Sequence, residues 1–172
     1  MLLKLIINFH IEHYNGTMGM RIFVNDLLLL DQSSFDQEKL RFSAEVNMPG
    51  SVVIEVFNKQ PIDTLLDDNH NIVKDKYIKI EKMTVDSMTI HPAALYDLVE
   101  LKHNEKIVKG PYFGFNGRCV IPFNQTNSFQ WHLDVLSRSW NTSVQDTVPS
   151  KYISLTKTLP KHDVFMPLGH RE

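Results

Sequence analysis

The densest run of potential ligands in this sequence is Asp67-Asp68-Asn69-His70-Asn71, followed shortly by Asp75. Asp67, Asn69 and Asn71 have the alternate spacing with which a loop wraps oxygen donors around a calcium ion. The glycine that lets such a loop turn sharply is missing, and no glutamate closes it downstream at the required distance. An Asn/Asp-rich stretch between two strands is the ordinary make-up of an exposed turn, so these three residues are weak metal candidates. Eight histidines offer imidazole donors. His10 and His13 differ in strand parity and point to opposite faces. His132 alternates with Trp131 and Leu133 in what reads as a strand, which turns it outward. No His-Glu-x-x-His element occurs, and surface histidines are the simpler reading.

Nucleophilic chemistry has equally little to work with. Cys119 is the lone thiol, and it shares parity with Ile121 and Phe123, as a small buried hydrophobe would. No Gly-x-Ser-x-Gly elbow, dinucleotide fingerprint or phosphate loop is present. Glu45, Glu55 and Glu81 supply the carboxylates that sugar hydrolysis needs, but any sheet with outward acids does the same. We expect no catalytic residues, no cofactor and no enzyme. The aromatics are more telling. Tyr112-Phe113-Gly114-Phe115-Asn116-Gly117 sets three rings around two glycines. Tyr112, Phe113 and Phe115 form a candidate platform for a sugar ring or for the centre of a protein interface. The alternative is that Phe113 and Phe115 cap one end of the core.

Two-residue alternation dictates the elements that must carry these groups. Leu3, Leu5, Ile7, Phe9 and Ile11 share one face of a first strand. Gly19–Val24 reads as a second strand, ending at a tight turn at Asn25-Asp26. Leu40, Phe42, Ala44 and Val46 lead to the turn Asn47-Met48-Pro49-Gly50, and Ser51–Phe57 leaves it, which predicts a hairpin. Between Ile72 and Val85 the parity of Ile78 and Ile80 slips to that of Met83 and Val85, which predicts either a bulge near Lys82 or a strand that leaves one sheet for another. Asp86-Ser87 then turns the chain. Pro92–Glu100 suits a short helix with Pro92 in its first turn. It lies in a long crossover, residues 91–117, before further strands at Arg118–Phe123 and Phe129–Val135.

The fold class expected is all-β: an antiparallel jelly-roll β-sandwich over residues 1–136, with a long crossover loop. Residues 137–172 lose the alternation, and proline punctuates them. They read as an extended C-terminal arm whose anchors Trp140, Tyr152, Leu155, Phe165 and Met166 either fold back or bind a partner, and a partner is the preferred reading. A net charge of −2 across 172 residues argues against nucleic acid as a partner. The apolar opening run is broken by Lys4 and Asn8, so it reads as a strand and predicts neither a leader nor a membrane segment.

Local patterns also resemble those of a known group. They are Arg21–Asn25, the Asn47–Gly50 turn with Val53–Phe57, Asn71–Lys76 running into Ile78–Ile80, Tyr112–Gly117, and Phe129–Trp131. Together, over about residues 3–136, they are similar to small sandwich proteins from the structural gene regions of tailed bacteriophages, especially contractile-tailed ones. Those look like distant relatives of calcium-dependent xylan-binding modules. The resemblance implies a non-enzymatic virion component of capsid surface, neck or tail, assembled in the host cytoplasm. It would dock on other virion proteins, or on copies of itself, through its arm and loops. A carbohydrate-binding module using the exposed aromatics is the alternative, with polysaccharide as partner. The acidic ligand set of a calcium-dependent sugar binder is not assembled at any recognisable spacing.

Overall fold

The structure, a computed structural model, describes residues 1–103 and 105–147, with residues 138–147 as backbone alone. The chain divides into two units, Met1–Ser139 and Trp140–Glu172. In chain order the strands are β1 (Leu2–Glu12), β2 (Gly19–Val24), β3 (Leu27–Gln32), β4 (Lys39–Asn47) and β5 (Gly50–Phe57). A 3-10 turn at Pro61–Asp63 precedes β6 (Thr64–Leu66), β7 (Ile72–Asp75), β8 (Tyr77–Val85) and β9 (Met88–Thr89). Helix α1 (Pro92–Leu98), β10 (Glu100–His103), β11 (Lys106–Lys109), β12 (Tyr112–Phe113), β13 (Gly117–Phe123) and helix α2 (Ser128–Thr147) follow.

Among the described residues two antiparallel sheets form a β-sandwich. One sheet runs β12-β8-β1-β4, with β9 paired to β8; the other runs β11-β10-β13-β5-β2-β3. This order establishes the sandwich and does not establish a jelly roll. Alternation does the work expected of it: Leu3, Leu5, Ile7, Phe9 and Ile11 are fully buried and share one core with Met20, Ile22, Val52, Ile54, Cys119 and Ile121 of the facing sheet. The slip foreseen near Lys82 is a bulge, because Asn8 pairs with Lys82 while Phe9 pairs with Ile80. Glu81 is the extra residue. It lets Ile78 and Ile80 on one side and Met83 and Val85 on the other all reach the core. Asn25-Asp26 and Asp86-Ser87 are turns in which each residue has positive φ, the backbone of a two-residue hairpin turn.

Three expectations are corrected. The Asn47–Gly50 turn does not join a hairpin: β4 pairs with β1, whereas β5 pairs with β13 and β2. It carries the chain from one sheet to the other, so Phe42 and Val46 share the core with Val52 and Ile54 of the facing sheet instead of lying beside them. Residues 91–117 are not a loop. After α1, the β10–β11 hairpin extends the second sheet and β12 edges the first. Phe129–Val135 is helical, and the predicted boundary at Leu136 falls within α2. Trp131 and Val135 are buried, one helical turn apart, and Trp131 stacks on Phe123 at 4.7 Å. Its indole N–H donates to the Pro122 carbonyl at 2.8 Å. The helical turn also takes His132 inward, where it bonds the Val85 carbonyl at 3.1 Å instead of facing solvent.

Candidate functional site

At the end of the first sheet where β1 finishes, three rings stand in a row. His10 lies 5.8 Å from Tyr77, and Tyr77 lies 4.6 Å from Tyr112, centroid to centroid. Their positions follow from register: Tyr77 pairs with Glu12 and Tyr112 pairs with Lys79, so outward parity brings the two phenols together. Gly114 makes room for this arrangement, since a Cβ there would sit 2.4 Å from the Tyr112 ring. Tyr112 is 41% exposed and Tyr77 is half-buried.

A buried charge cluster holds the row in place. Tyr112 Oη donates to Asp75 Oδ2 at 2.5 Å, and Thr64 Oγ1 donates to Asp75 Oδ1 at 2.7 Å. Lys59 Nζ donates to Asp75 Oδ1 and, at 2.6 Å, to the Lys76 carbonyl. Beside it, Lys76 Nζ pairs with Asp63 Oδ2 at 2.7 Å, and the Gln60 N–H donates to the same carboxylate oxygen at 2.8 Å. All four charged side chains are less than a tenth exposed. Burial pushes both carboxyls up. For Asp63, the hydrogen bonds from Lys76 and Gln60 and the charges of Lys76 and Lys59 outweigh it. For Asp75 the hydrogen bonds from Lys59, Tyr112 and Thr64 and the Lys59 charge do so. Both acids therefore lie below the ordinary carboxyl value. The phenols go the other way: burial, then Glu12, Asp75 and Glu81 raise Tyr77, while burial, then the Asp75 hydrogen bond and its charge raise Tyr112. Both stay neutral donors across the physiological range.

The row opens onto a cleft of about 480 Å³ lined by Glu12, His13, Tyr14, Val73, Lys74, Asp75 and Tyr77. Lys74 Nζ stands 5.9 Å from the centre of the Tyr14 ring. The walls thus combine aromatic rings with two carboxylates, an imidazole and an ammonium. That is a set for grasping a polyol, since aromatic surface meets C–H groups while planar and charged groups meet hydroxyls.

The residues singled out in the sequence fare unevenly. Of the aromatic trio only Tyr112 joins the site. Phe113 is fully buried in the core, and Phe115 is half-buried against it with its ring 5.3 Å from His103. The trio is no platform, because strand parity splits its members between faces. Asp67 is occupied within its own turn: it accepts from the N–H groups of Asn69 and Asn71 and from Asn71 Nδ2, at 2.8–3.0 Å. Those bonds, the side-chain one first, hold its carboxyl low. Asn69 and Asn71 serve the turn as donors. Among the described residues no group of three or more His, Cys, Asp or Glu is placed to hold a metal. Cys119 is buried, and that burial pushes its thiol up to about 12. Trp140 lies in α2, its side chain undescribed, and Tyr152, Leu155, Phe165 and Met166 lie outside the described residues. Sequence reasoning missed Lys59, Asp63 and Lys76 as a set. Nothing local pairs Asp63 with Lys76, although the Asp75-Lys76 dipeptide leading into a strand was a hint that charge sits at a sheet end.

No protein-family profile matches the chain, and neither does any curated protein sequence. Solved structures similar to it include the selenomethionine form of vCBM60, described among calcium-dependent carbohydrate-binding modules linked by circular permutation. That match has a TM-score of 0.45 and 10% identity, covering 70% of this chain and 90% of the other. A second is vCBM60 in complex with galactobiose, with a TM-score of 0.44 and 9% identity over 69% and 97% of the two chains. A likeness of that degree assigns no ligand to this chain.

Proposed function

We propose that the protein is a non-catalytic saccharide-binding module whose site is the cleft beside Tyr77 and Tyr112. The observation that carries this reading is the His10–Tyr77–Tyr112 row, partly exposed and fixed from beneath by Asp75, at the rim of a polar cleft. A pre-set ring surface binds at low entropic cost. Glu12, His13 and Lys74 supply acceptor and donor groups for hydroxyls around it. Asp75 has both oxygens engaged and acts as a positioning residue. Isothermal titration of the full chain against neutral and acidic polysaccharides tests the reading. Tyr77→Ala should lower affinity about tenfold with the fold retained. A full chain that binds no polysaccharide of either kind overturns it.

One observation favours the virion role instead. Edge strand β3 presents Leu27, Leu28 and Leu29 to solvent, at 64%, 44% and 46% exposure. Such an edge accepts an added strand from a partner. Under that reading the protein is assembled into a phage particle in the host cytoplasm, and the C-terminal arm with Trp140, Tyr152, Leu155, Phe165 and Met166 adds contacts to neighbours. Light scattering on Leu28→Lys against the unaltered chain, alone and with candidate virion proteins, separates the two. Assembly lost in the variant while polysaccharides stay unbound favours docking.

A further inference from the structure

The open face of the first sheet carries a second pattern. Register across β4, β1, β8 and β12 sets Lys39, His10, Lys79 and Tyr112 in one row. The next outward row is Arg41, Asn8 and Lys82. Lys39, Arg41, Lys79 and Lys82 are all exposed, and none makes an ion pair among the described residues. Glu81, on the bulge, is the acid among them. Other carboxylates near this face include Glu12, which pairs with His10 at 3.1 Å, Glu45 opposite Lys4, Asp86, which accepts from the Lys4 N–H at 2.8 Å, Asp75, held by Lys59 and Tyr112, and Asp36, which lines a depression with Lys39. A chain whose net charge is −2 has therefore gathered unpaired cations on one face. Beside them lies a depression of about 470 Å³ bordered by Asn8, Gln37, Lys39, Arg41 and Glu81.

We infer that the ligand is an acidic polysaccharide, a chain of uronic-acid units, lying across this face from Tyr112 and Tyr77 toward Arg41. This rests on the saccharide reading of the cleft and names the ligand class. Neighbouring strands are about 4.8 Å apart, so Lys39 and Lys79, two strands apart, hold their charges roughly 10 Å from one another. A polyuronate presents carboxylates repeatedly along its length, with sugar rings between them, and this face offers cations repeatedly with rings at its edge. Arg41 adds a planar fork suited to a carboxylate. Nucleic acid fits less well: its denser charge calls for a basic excess that this chain lacks.

Affinity electrophoresis and titration of the full chain with polygalacturonate, neutral xylan and single-stranded DNA decide the matter, at low and physiological salt. The unaltered chain should bind polygalacturonate at least about tenfold tighter than xylan. A variant carrying Lys39→Gln, Arg41→Gln, Lys79→Gln and Lys82→Gln should lose that margin, and salt should erode it. Its melting temperature should stay close to that of the unaltered chain, which reports an intact fold. Lys79→Arg with Lys82→Arg should keep the preference. Equal binding of xylan and polygalacturonate overturns the acidic ligand and leaves the saccharide reading standing. No binding of either overturns both. DNA bound as tightly as polygalacturonate, and lost in the same variant, overturns a saccharide-specific face.

Discussion

The two outer faces of the sandwich use charge in opposite ways. On the second sheet Arg21 and Arg118 both stand opposite Glu55 in register, and Arg118 pairs with it at 3.6 Å. Arg21 instead pairs with Asp31 at 3.0 Å and lays its guanidinium 4.8 Å from the centre of the Phe57 ring. Phe23, Val53 and Val120 fill the adjacent row. In that row Arg21, Asp31, Glu55 and Arg118 are all partnered, and Lys102, opposite Arg118, is the one cation without an ion pair among the described residues. On the first sheet Lys39, Arg41, Lys79 and Lys82 are exposed and make no ion pair among the described residues. The difference teaches where to look for function: charges that neutralise one another hold strands in register, and charges left over answer to something outside.

The sharpest way to break the first face is from below. Asp75→Ala removes the acceptor of Tyr112, Thr64 and Lys59 at once and strands a buried ammonium. The expected loss is about 3–5 kcal/mol of stability, read from urea midpoints. Asp75→Asn, which keeps one acceptor, should lose less. Saccharide binding should weaken in both, since the Tyr112 ring loses its anchor.

Acid attacks the same support. Asp63 and Asp75 bind protons less readily folded than at their ordinary value of 3.8. Their contribution to stability is thus complete above that value and is lost as the pH falls below it toward the folded pKa. Urea midpoints taken from neutral pH downward should drop steeply only below about pH 4, and Asp63→Asn should flatten the drop.

A milder break targets the second face. A Cβ on Gly19 would come within 2.4 Å of the Phe57 ring, which lies over that glycine. Gly19→Ala should push Phe57 off, loosen Arg21 above it, and cost on the order of 1 kcal/mol. Saccharide affinity should not change, since nothing on the first sheet moves.

How much of this was legible in the sequence follows from the range of each cause. Leu3 to Ile11, the parity slip beside Lys82 and the turns at Asn25-Asp26 and Asp86-Ser87 are set by parity and by neighbours in the chain, and they appear as read. Asn47–Gly50 has the residues of a tight turn whether its strands pair or part, so local chemistry could not tell a hairpin from a crossing between sheets. Phe129-Gln-Trp131-His132-Leu133 fits alternation as well as a helix, and burial of Trp131 with Val135 decides for the helix. The site was hidden for the same reason. Tyr77, Tyr112 and Asp75 come from three separate strands and Lys59 from the loop after β5, and they meet only once the register of β8 with β12 is set.

The smallest effect discriminates the two faces best. Glu55→Gln takes the partner from Arg118, and the exposed pair is worth about 0.2–1 kcal/mol, so stability should fall by that much. Lys79→Gln takes a charge that has no partner and stands in a row with Lys39 and near Lys82. Relief of like-charge repulsion should leave stability unchanged or raise it by up to about 0.5 kcal/mol. Added salt should narrow both differences, because each is a screened surface interaction. The signs are opposite for two substitutions of nearly equal size on two exposed strands. If Lys79→Gln destabilised the protein as Glu55→Gln does, the cations of the first sheet would be serving the fold, and the case for a ligand across that face would lose its footing.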